Sequence, residues 1–388
     1  MSLNEYNNYY SLALVDYKES DYTIIQDQVG DQAFACSSDG YIHYTNNNRL
    51  TWTSRAFSTA GVVQMAHVFA NGNVIFADHT KIYLWTNKSA APTELTPEFA
   101  DGTPITIHTP VNASYPGTYY KNLTQVVIRT IGSREMIVWG NYASTYYGAS
   151  PVYMFHAFDD GVVKIDYQFG QNAKWTDNGG AASAPQEGGN LLGDASNSTV
   201  ARHVHCYQYD PATGYYYFTT GDAYYTGGDT NEIFWYRGTY DEGTDVLTWT
   251  KFATGANNSS HYKAVGLHIK DGYFYWGADI TVGEVLKCAV ADILTISSHA
   301  QLYNTGIATG LFPIDGNMLT AFTTELNKLY CSNNLGATWN VVLLSELSAA
   351  GRHHRALRKD SDGFVCMASN GHDFGADINL RNIHFKRK

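Results

Sequence analysis

The sequence predicts an all-β fold of seven four-stranded antiparallel units, arranged in succession as the blades of a β-propeller. Three observations carry this. A strand–turn–strand unit recurs along the chain, with starts spaced roughly 40 to 80 residues apart, the interval of a blade with variable loops. The composition suits strands and turns: aromatics reach 14%, with 30 Tyr and 8 Trp, and such side chains pack well on pleated surfaces. Charged residues make up only 16%, below the roughly one quarter of ordinary domains. No long stretch repeats apolar residues at helical spacing between capping signals.

Taken in order, the first strand of each recognisable hairpin reads FACSSDG (34–40), VIFADHT (74–80), MIVWGNYA (136–143), YYFTTGDA (216–223), YFYWGADI (273–280), MLTAFTTE (318–325) and FVCMASNG (364–371). Each is apolar or aromatic and runs into small, polar turn residues. The second strands read YIHYT, KIYLW, VYMFHAF, IFWYRG, VLKCAV, KLYCS and NIHF. Candidate innermost strands precede the pairs at Val63–Phe69, Gln125–Ile131, His203–Tyr209, Tyr262–Ile269 and Arg352–Lys359. The last unit shows no obvious fourth strand. Tyr9–Tyr17 is expected to supply it, which removes an exposed sheet edge. The chain, 1–388, therefore reads as a single domain. Two long stretches interrupt the pattern: Pro92–Gly117, and the Gly/Ala/Ser/Asn-rich Asn172–Ser198, which reads as a surface loop.

A net charge of −11 argues against nucleic acid as a partner, because phosphate binding needs a basic field. No apolar run is long enough to insert in a membrane as a helix. The opening MSLNEYNNYY lacks a signal-peptide core, so synthesis in a cytoplasm is expected, which leaves a place on a virion surface open. The five cysteines read as small buried hydrophobes rather than a disulfide scaffold.

Two hairpin turns share a spacing. One is Ser332-Asn333-Asn334-Leu335-Gly336-Ala337-Thr338-Trp339; the other is Thr45-Asn46-Asn47-Asn48-Arg49-Leu50-Thr51-Trp52. Leu247-Thr248-Trp249-Thr250 keeps only the strand start. In the first, Asn334 is expected to close the turn on backbone N–H groups and Gly336 to supply unusual φ values. Trp339 then pins the turn to its own sheet. This spacing resembles the Asp box of sialidase-like proteins (the bacterial neuraminidase repeat), Ser-x-Asp-x-Gly-x-Thr-Trp. Ser332, Gly336, Thr338 and Trp339 match and Asn334 replaces the Asp. In the other copy Thr45, Asn47, Thr51 and Trp52 hold the frame, and Arg49 replaces the Gly. The resemblance implies a propeller scaffold rather than an activity. Because sialidases have six blades, six is the alternative count.

Histidines gather on the predicted inner strands: His67, His203, His205, His261, His353 and His354. His203 and His205 are two apart and share a strand face. Such a pair can hold a divalent metal or transfer protons near neutral pH, though no cofactor is demanded. Arg202, Asp222, Tyr262, Asp279 and Arg355 complete the set of candidate ligand-binding residues. The segments around His203/His205, Thr220-Gly221-Asp222 and Trp276-Gly277-Ala278-Asp279 are similar to uncharacterised Asp-box propellers of bacteria and their phages. That likeness implies a virion component, a tail or capsid-fibre protein contacting host glycans and other virion proteins.

Sialidase chemistry requires three arginines on a carboxylate, a Tyr nucleophile paired with Glu, and an acid/base Asp. The family's Phe-Arg-Ile-Pro motif is absent here. Arg202, Arg352, Arg355 and Arg358 are the arginines that could gather at an axis, and Glu135, Glu187, Glu232, Glu242 and Glu284 lack a matching frame. The main expectation is glycan recognition, with Tyr119-Tyr120, Tyr146-Tyr147 and Tyr224-Tyr225 as exposed loop aromatics. The alternatives are a lyase or glycosidase acting on an acidic polysaccharide, marked by convergent Arg, His, Tyr and carboxylate groups, and a structural adaptor without ligand.

Overall fold

The computed structural model describes residues 10–13, 23–37, 39–59, 63–109, 117–124, 126–143, 150–171, 192–201, 203–221, 233–254, 260–279, 283–305, 309–315, 318–323, 328–343, 353–359, 361, 364–370 and 382–387. These residues form seven sheets, and helical structure among them is limited to short 3-10 turns such as Ser260–Tyr262.

The first strand, β1 (Tyr10–Ala13), belongs to the last sheet. Sheet 1 holds β2 (Thr23–Val29), β3 (Gln32–Ser37), β4 (Tyr41–Thr45) and β5 (Thr53–Ala56); sheet 2 holds β6 (Met65–Val68), β7 (Val74–Ala77), β8 (Ile82–Trp85) and β9 (Thr93–Leu95). The short β10 (Glu98–Phe99) runs parallel to the edge of sheet 3, whose other strands are β11 (Val127–Ile131), β12 (Arg134–Gly140), β13 (Tyr153–Phe158) and β14 (Val163–Gln168). Sheet 4 is β15 (Val204–Asp210), β16 (Tyr215–Thr220), β17 (Phe234–Asp241) and β18 (Val246–Thr254). Sheet 5 is β19 (Ala264–Lys270), β20 (Tyr273–Ala278), β21 (Glu284–Ala289) and β22 (Ala300–Asn304). Sheet 6 is β23 (Thr309–Asp315), β24 (Met318–Thr323), β25 (Lys328–Ser332) and β26 (Asn340–Leu343). Sheet 7 joins β27 (His353–Lys359), β28 (Phe364–Asn370) and β29 (Asn382–Arg387) to β1, with Leu12 opposite Phe385.

The innermost strands touch in sequence: β2 lies against β6, β11 against β15, β15 against β19, β19 against β23, and β23 against β27, which returns to β2. Sheet 2 reaches sheet 3 through the His67–Glu135 hydrogen bond. This cyclic order is the arrangement of a β-propeller. Two inner strands, β2 and β23, were not marked by the sequence pattern. Part of the expected loop Pro92–Gly117 is ordered instead as β9 and β10.

The aromatic surplus fills the spaces between sheets. Phe34 of sheet 1 meets Phe76 of sheet 2 at 5.1 Å. Trp235 of sheet 4 meets Trp276 of sheet 5 at 5.5 Å, and Tyr217 meets Phe274 at 5.0 Å. Such pairs add about 0.5–1.5 kcal/mol each beyond the area they bury. Tyr119 and Tyr120 belong to this core, at 0% and 1% exposure, which corrects their reading as exposed loop aromatics. The Tyr119 hydroxyl accepts a bond from the His108 N–H, and Tyr120 packs on Phe155. Tyr146-Tyr147, Tyr224-Tyr225 and most of Asn172–Ser198 lie outside the described residues. Cys36, Cys206, Cys288 and Cys331 are buried.

Both box-like turns close by one network. Asn334 Oδ1 accepts from the Thr338 N–H at 2.9 Å and from Ser332 Oγ, while its Nδ2 donates to Thr338 Oγ1. Asn47 repeats this with Thr51 and Thr45. Gly336, at φ +83°, donates its N–H to Ser332 Oγ at 2.8 Å; Arg49, at φ +67°, donates to Thr45 Oγ1 at 3.2 Å. Trp52 packs on Ile25, Ala33 and Ala35 of its own sheet. Trp339 is only half-buried, and its ring lies 5.7 Å from Tyr303 on the outer strand of sheet 5. It therefore packs in a cluster that includes Leu311 and Tyr330 of its own sheet and reaches the neighbouring sheet as well.

Candidate functional site

The inner strands meet at the axis, and each end of the axis carries a polar group of its own. At the end where the inner strands begin, His203 and His205 flank the first residue of β15. Both are buried, at 7% and 2% exposure. Their rings stack 5.0 Å apart, and Tyr142, just beyond β12 in sheet 3, stacks on His203 at 3.9 Å. His205 Nδ1 lies 3.1 Å from the Ala264 carbonyl at the start of β19. A carbonyl only accepts, so Nδ1 carries the proton and donates. A glycine is needed at 221, because a Cβ there would run into the His205 ring. Three sheets thus fix this stack. Lys121 Nζ stands 5.4 Å from the Tyr142 ring centroid. Burial, then the Lys121 charge, hold the His79 imidazole below its usual pKa.

The other expected site residues are divided. His261 Nε2 is 3.4 Å from Glu284 Oε2 and its ring stacks on His299, forming a separate group on sheet 5. Tyr262 is a core residue whose hydroxyl donates to the Ile293 carbonyl. Asp279 pairs with Lys263 at 2.8 Å. Arg202 and Asp222 lie outside the described residues. His353, His354 and Arg355 sit on β27, opposite Asn370, Ser369 and Ala368, and their side chains lie outside the described set. Among the described residues, no group of three or more His, Cys, Asp or Glu side chains is placed to hold a metal ion.

At the opposite end is a group that sequence reasoning named only in pieces. Arg358 Nη2 donates to Asp27 Oδ2 at 2.5 Å and to the Val68 carbonyl. Asp27 Oδ2 also accepts the Val68 N–H at 2.7 Å. His67 Nε2 is 2.8 Å from Glu135 Oε1, and its Nδ1 is 3.4 Å from Asp27 Oδ2. Glu135 Oε2 accepts the Ala70 N–H, and Arg358 Nη1 stands 3.8 Å from Glu135 Oε1. Gln28 Nε2 donates to the Arg358 carbonyl. Sheets 7 and 3 are three steps apart around the ring, so Arg358 and Glu135 can approach this closely only near the axis. Burial and the Arg358 charge hold the His67 imidazole below its usual pKa. For Glu135, burial raises the pKa, but the His67 bond, the Ala70 N–H and Arg358 bring it to a net value below the usual range. The sequence signals were His67, Glu135 and Arg358 taken singly; Asp27 carried none, because it sits in a polar-looking strand.

No family model matches the chain, and no curated protein matches it. Solved structures with a related outline include a computationally designed protein, Ika8, at TM-score 0.48 and 10% identity, covering 97% of this chain and 100% of that one. YCF48 bound to D1 peptide follows at TM-score 0.47 and 9% identity, covering 97% and 98%. YCF48 from Cyanidioschyzon merolae matches at TM-score 0.48 and 9% identity, covering 98% of each chain. Likeness at this level carries no statement about activity or partners.

Proposed function

We propose that this protein is a seven-bladed propeller related to the Asp-box group, closed by its N-terminal strand, that recognises a glycan as a component of a virion or other surface assembly. The observation that supports this reading is the Tyr142–His203–His205 stack, built from two sheets and anchored to Ala264 of a third. Of the three rings only Tyr142 is half-buried; backed by the buried His203 and His205, it is held ready to stack on sugar C–H groups with little ordering cost on binding. The burial of Tyr119 and Tyr120 removes that one pair from the proposed contact; Tyr146-Tyr147 and Tyr224-Tyr225 lie outside the described residues.

The test is glycan-array binding of the wild type beside Tyr142→Ala and a His203→Asn/His205→Asn double variant, with product release from the bound polysaccharide followed in parallel. Binding should fall at least tenfold in both variants while their melting curves stay cooperative, and no product should appear. Unchanged affinity in folded variants, or glycan cleavage by the wild type, would refute the reading.

A further inference from the structure

The strand order of sheet 7 locates where the ring is held without a covalent link. Every sheet is joined to the next by the chain, and β1 runs on to β2. Within sheet 7, however, β1 meets β29 by hydrogen bonds alone, with Tyr10 opposite Arg387 and Ala13 opposite His384. If those bonds parted, β27 to β29 would be free to swing away from sheet 1 unless something else held them.

Arg358 stands at that position. It lies on β27, in the part of sheet 7 contributed by the C-terminal strands, and its guanidinium reaches across the axis. There it meets the Asp27 carboxylate of sheet 1, the Val68 carbonyl of sheet 2 and, at 3.8 Å, Glu135 of sheet 3. Two further bonds run beside it: the Gln28 side-chain Nε2 donates to the Arg358 carbonyl, and the Ser361 N–H donates to the Gly30 carbonyl at 3.0 Å. None of these involves β1. We propose that Arg358 is a second, side-chain clasp that closes the ring across its axis independently of the β1–β29 pairing, and that acid releases it.

The release follows from the groups around the guanidinium. Asp27 of β2 and Glu135 of β12 face it as carboxylates, with side chains 7% and 10% exposed. His67 of β6 stands between those two carboxylates. The remaining partners, the Val68 and Ala70 peptide groups, do not titrate. Between pH 7 and 5 the titrating member is His67: opening the network lets its imidazole take a proton, and a charged His67 is a second cation beside the guanidinium, whereas Glu135, held below the usual carboxylate range, stays ionised. Breaking one member of a buried charged network leaves the others uncompensated, which is costly. The clasp therefore weakens at acid pH, whereas the β1–β29 backbone bonds have no titrating member.

Hydrogen–deuterium exchange on the full chain tests this, with Arg358→Gln, Arg358→Lys, Leu12→Pro (which interrupts β1) and the Leu12→Pro/Arg358→Gln pair. After correction for intrinsic rates, Arg358→Gln should raise exchange at least tenfold in 353–359 and 23–29, leaving 204–210 and 264–270 unchanged. Arg358→Lys should fall between. Leu12→Pro should raise exchange in 382–387 while 353–359 stay protected, and the double variant should exceed the product of the two single effects in 353–359. For wild type alone, lowering the pH from 7 to 5 should accelerate 353–359 and 23–29 selectively, which carries the test even if the substitutions prevent folding. Exchange that rises equally in all seven sheets, or that does not respond to pH in those two strands, would overturn the clasp.

Discussion

The two box-like turns place the same backbone requirement on different residues, and this makes reciprocal substitutions informative. Gly336 sits at φ +83°, and a Cβ there would meet Leu302 Cδ1 at 2.6 Å. Gly336→Ala therefore adds left-handed strain of about 1–2 kcal/mol. It also adds an overlap that Leu302, being the flexible end of a side chain, can relieve for about 1 kcal/mol. Alanine also removes about 0.5–1 kcal/mol of backbone entropy from the unfolded chain, so the net loss is about 1–2.5 kcal/mol. Arg49 holds the equivalent position at φ +67°, with a long 3.5 Å bond to Gln28 Oε1. Arg49→Gly relieves about 1–2 kcal/mol of strain but adds about 0.5–1 kcal/mol of backbone entropy to the unfolded chain, leaving about 0.5 kcal/mol of stabilisation. Urea denaturation followed by tryptophan fluorescence should move the midpoint down for Gly336→Ala and slightly up for Arg49→Gly. If both moved in one direction, the two turns would not be equivalent and the shared-network account would fail.

Two further outcomes are expected. Asn334→Asp should change stability by less than about 0.5 kcal/mol at pH 7, because the hydroxyl of Thr338 can rotate to donate where Asn334 Nδ2 donated; Asn334→Ala, which strips the turn of its acceptor, should cost about 1–2 kcal/mol in the same denaturation series. His67 has a folded pKa lowered by burial and Arg358, so the unfolded chain takes the proton first as pH falls. Its contribution is present above the unfolded value of about 6.5 and is lost below it. Wild type should lose stability between pH 7 and 5.5 more steeply than His67→Asn; parallel slopes would contradict this.

The strand units were legible because their apolar hairpins recur: VIFA of β7 and MIVWG of β12 lie inside the segments the pattern marked. The inner strand β2 was not, because TIIQDQV reads as polar. Gln26, Asp27 and Gln28 are nonetheless buried at 7%, 5% and 1%, and Asp27 and Gln28 reach partners on other sheets. Periodicity registers polarity and cannot register that a partner waits across a ring. Arg358 and Asp27 are separated by 331 positions, so no local window joins them. Tyr119 and Tyr120 misled for the opposite reason. A Tyr pair just after Pro116-Gly117 looks like a loop tip, and only the fold shows it tucked under sheets 2 and 3. His203 and His205 were placed together by their spacing alone, but Tyr142 reaches them only through the ring.

The turn of sheet 6 leans on something made before it. Gly336 fits against Leu302, and Trp339 against Tyr303, both on the outer strand of sheet 5. Arg358, in turn, reaches partners on sheets 1, 2 and 3. During synthesis, which proceeds at about 5–20 residues per second, the sheet 6 turn finds its support already extruded and can settle as it emerges. The axis differs: Asp27, His67 and Glu135 wait, facing one another without their cation, until more than 350 residues have left the ribosome. Until Arg358 itself emerges, the sheets already made surround an acidic centre that lacks its cation.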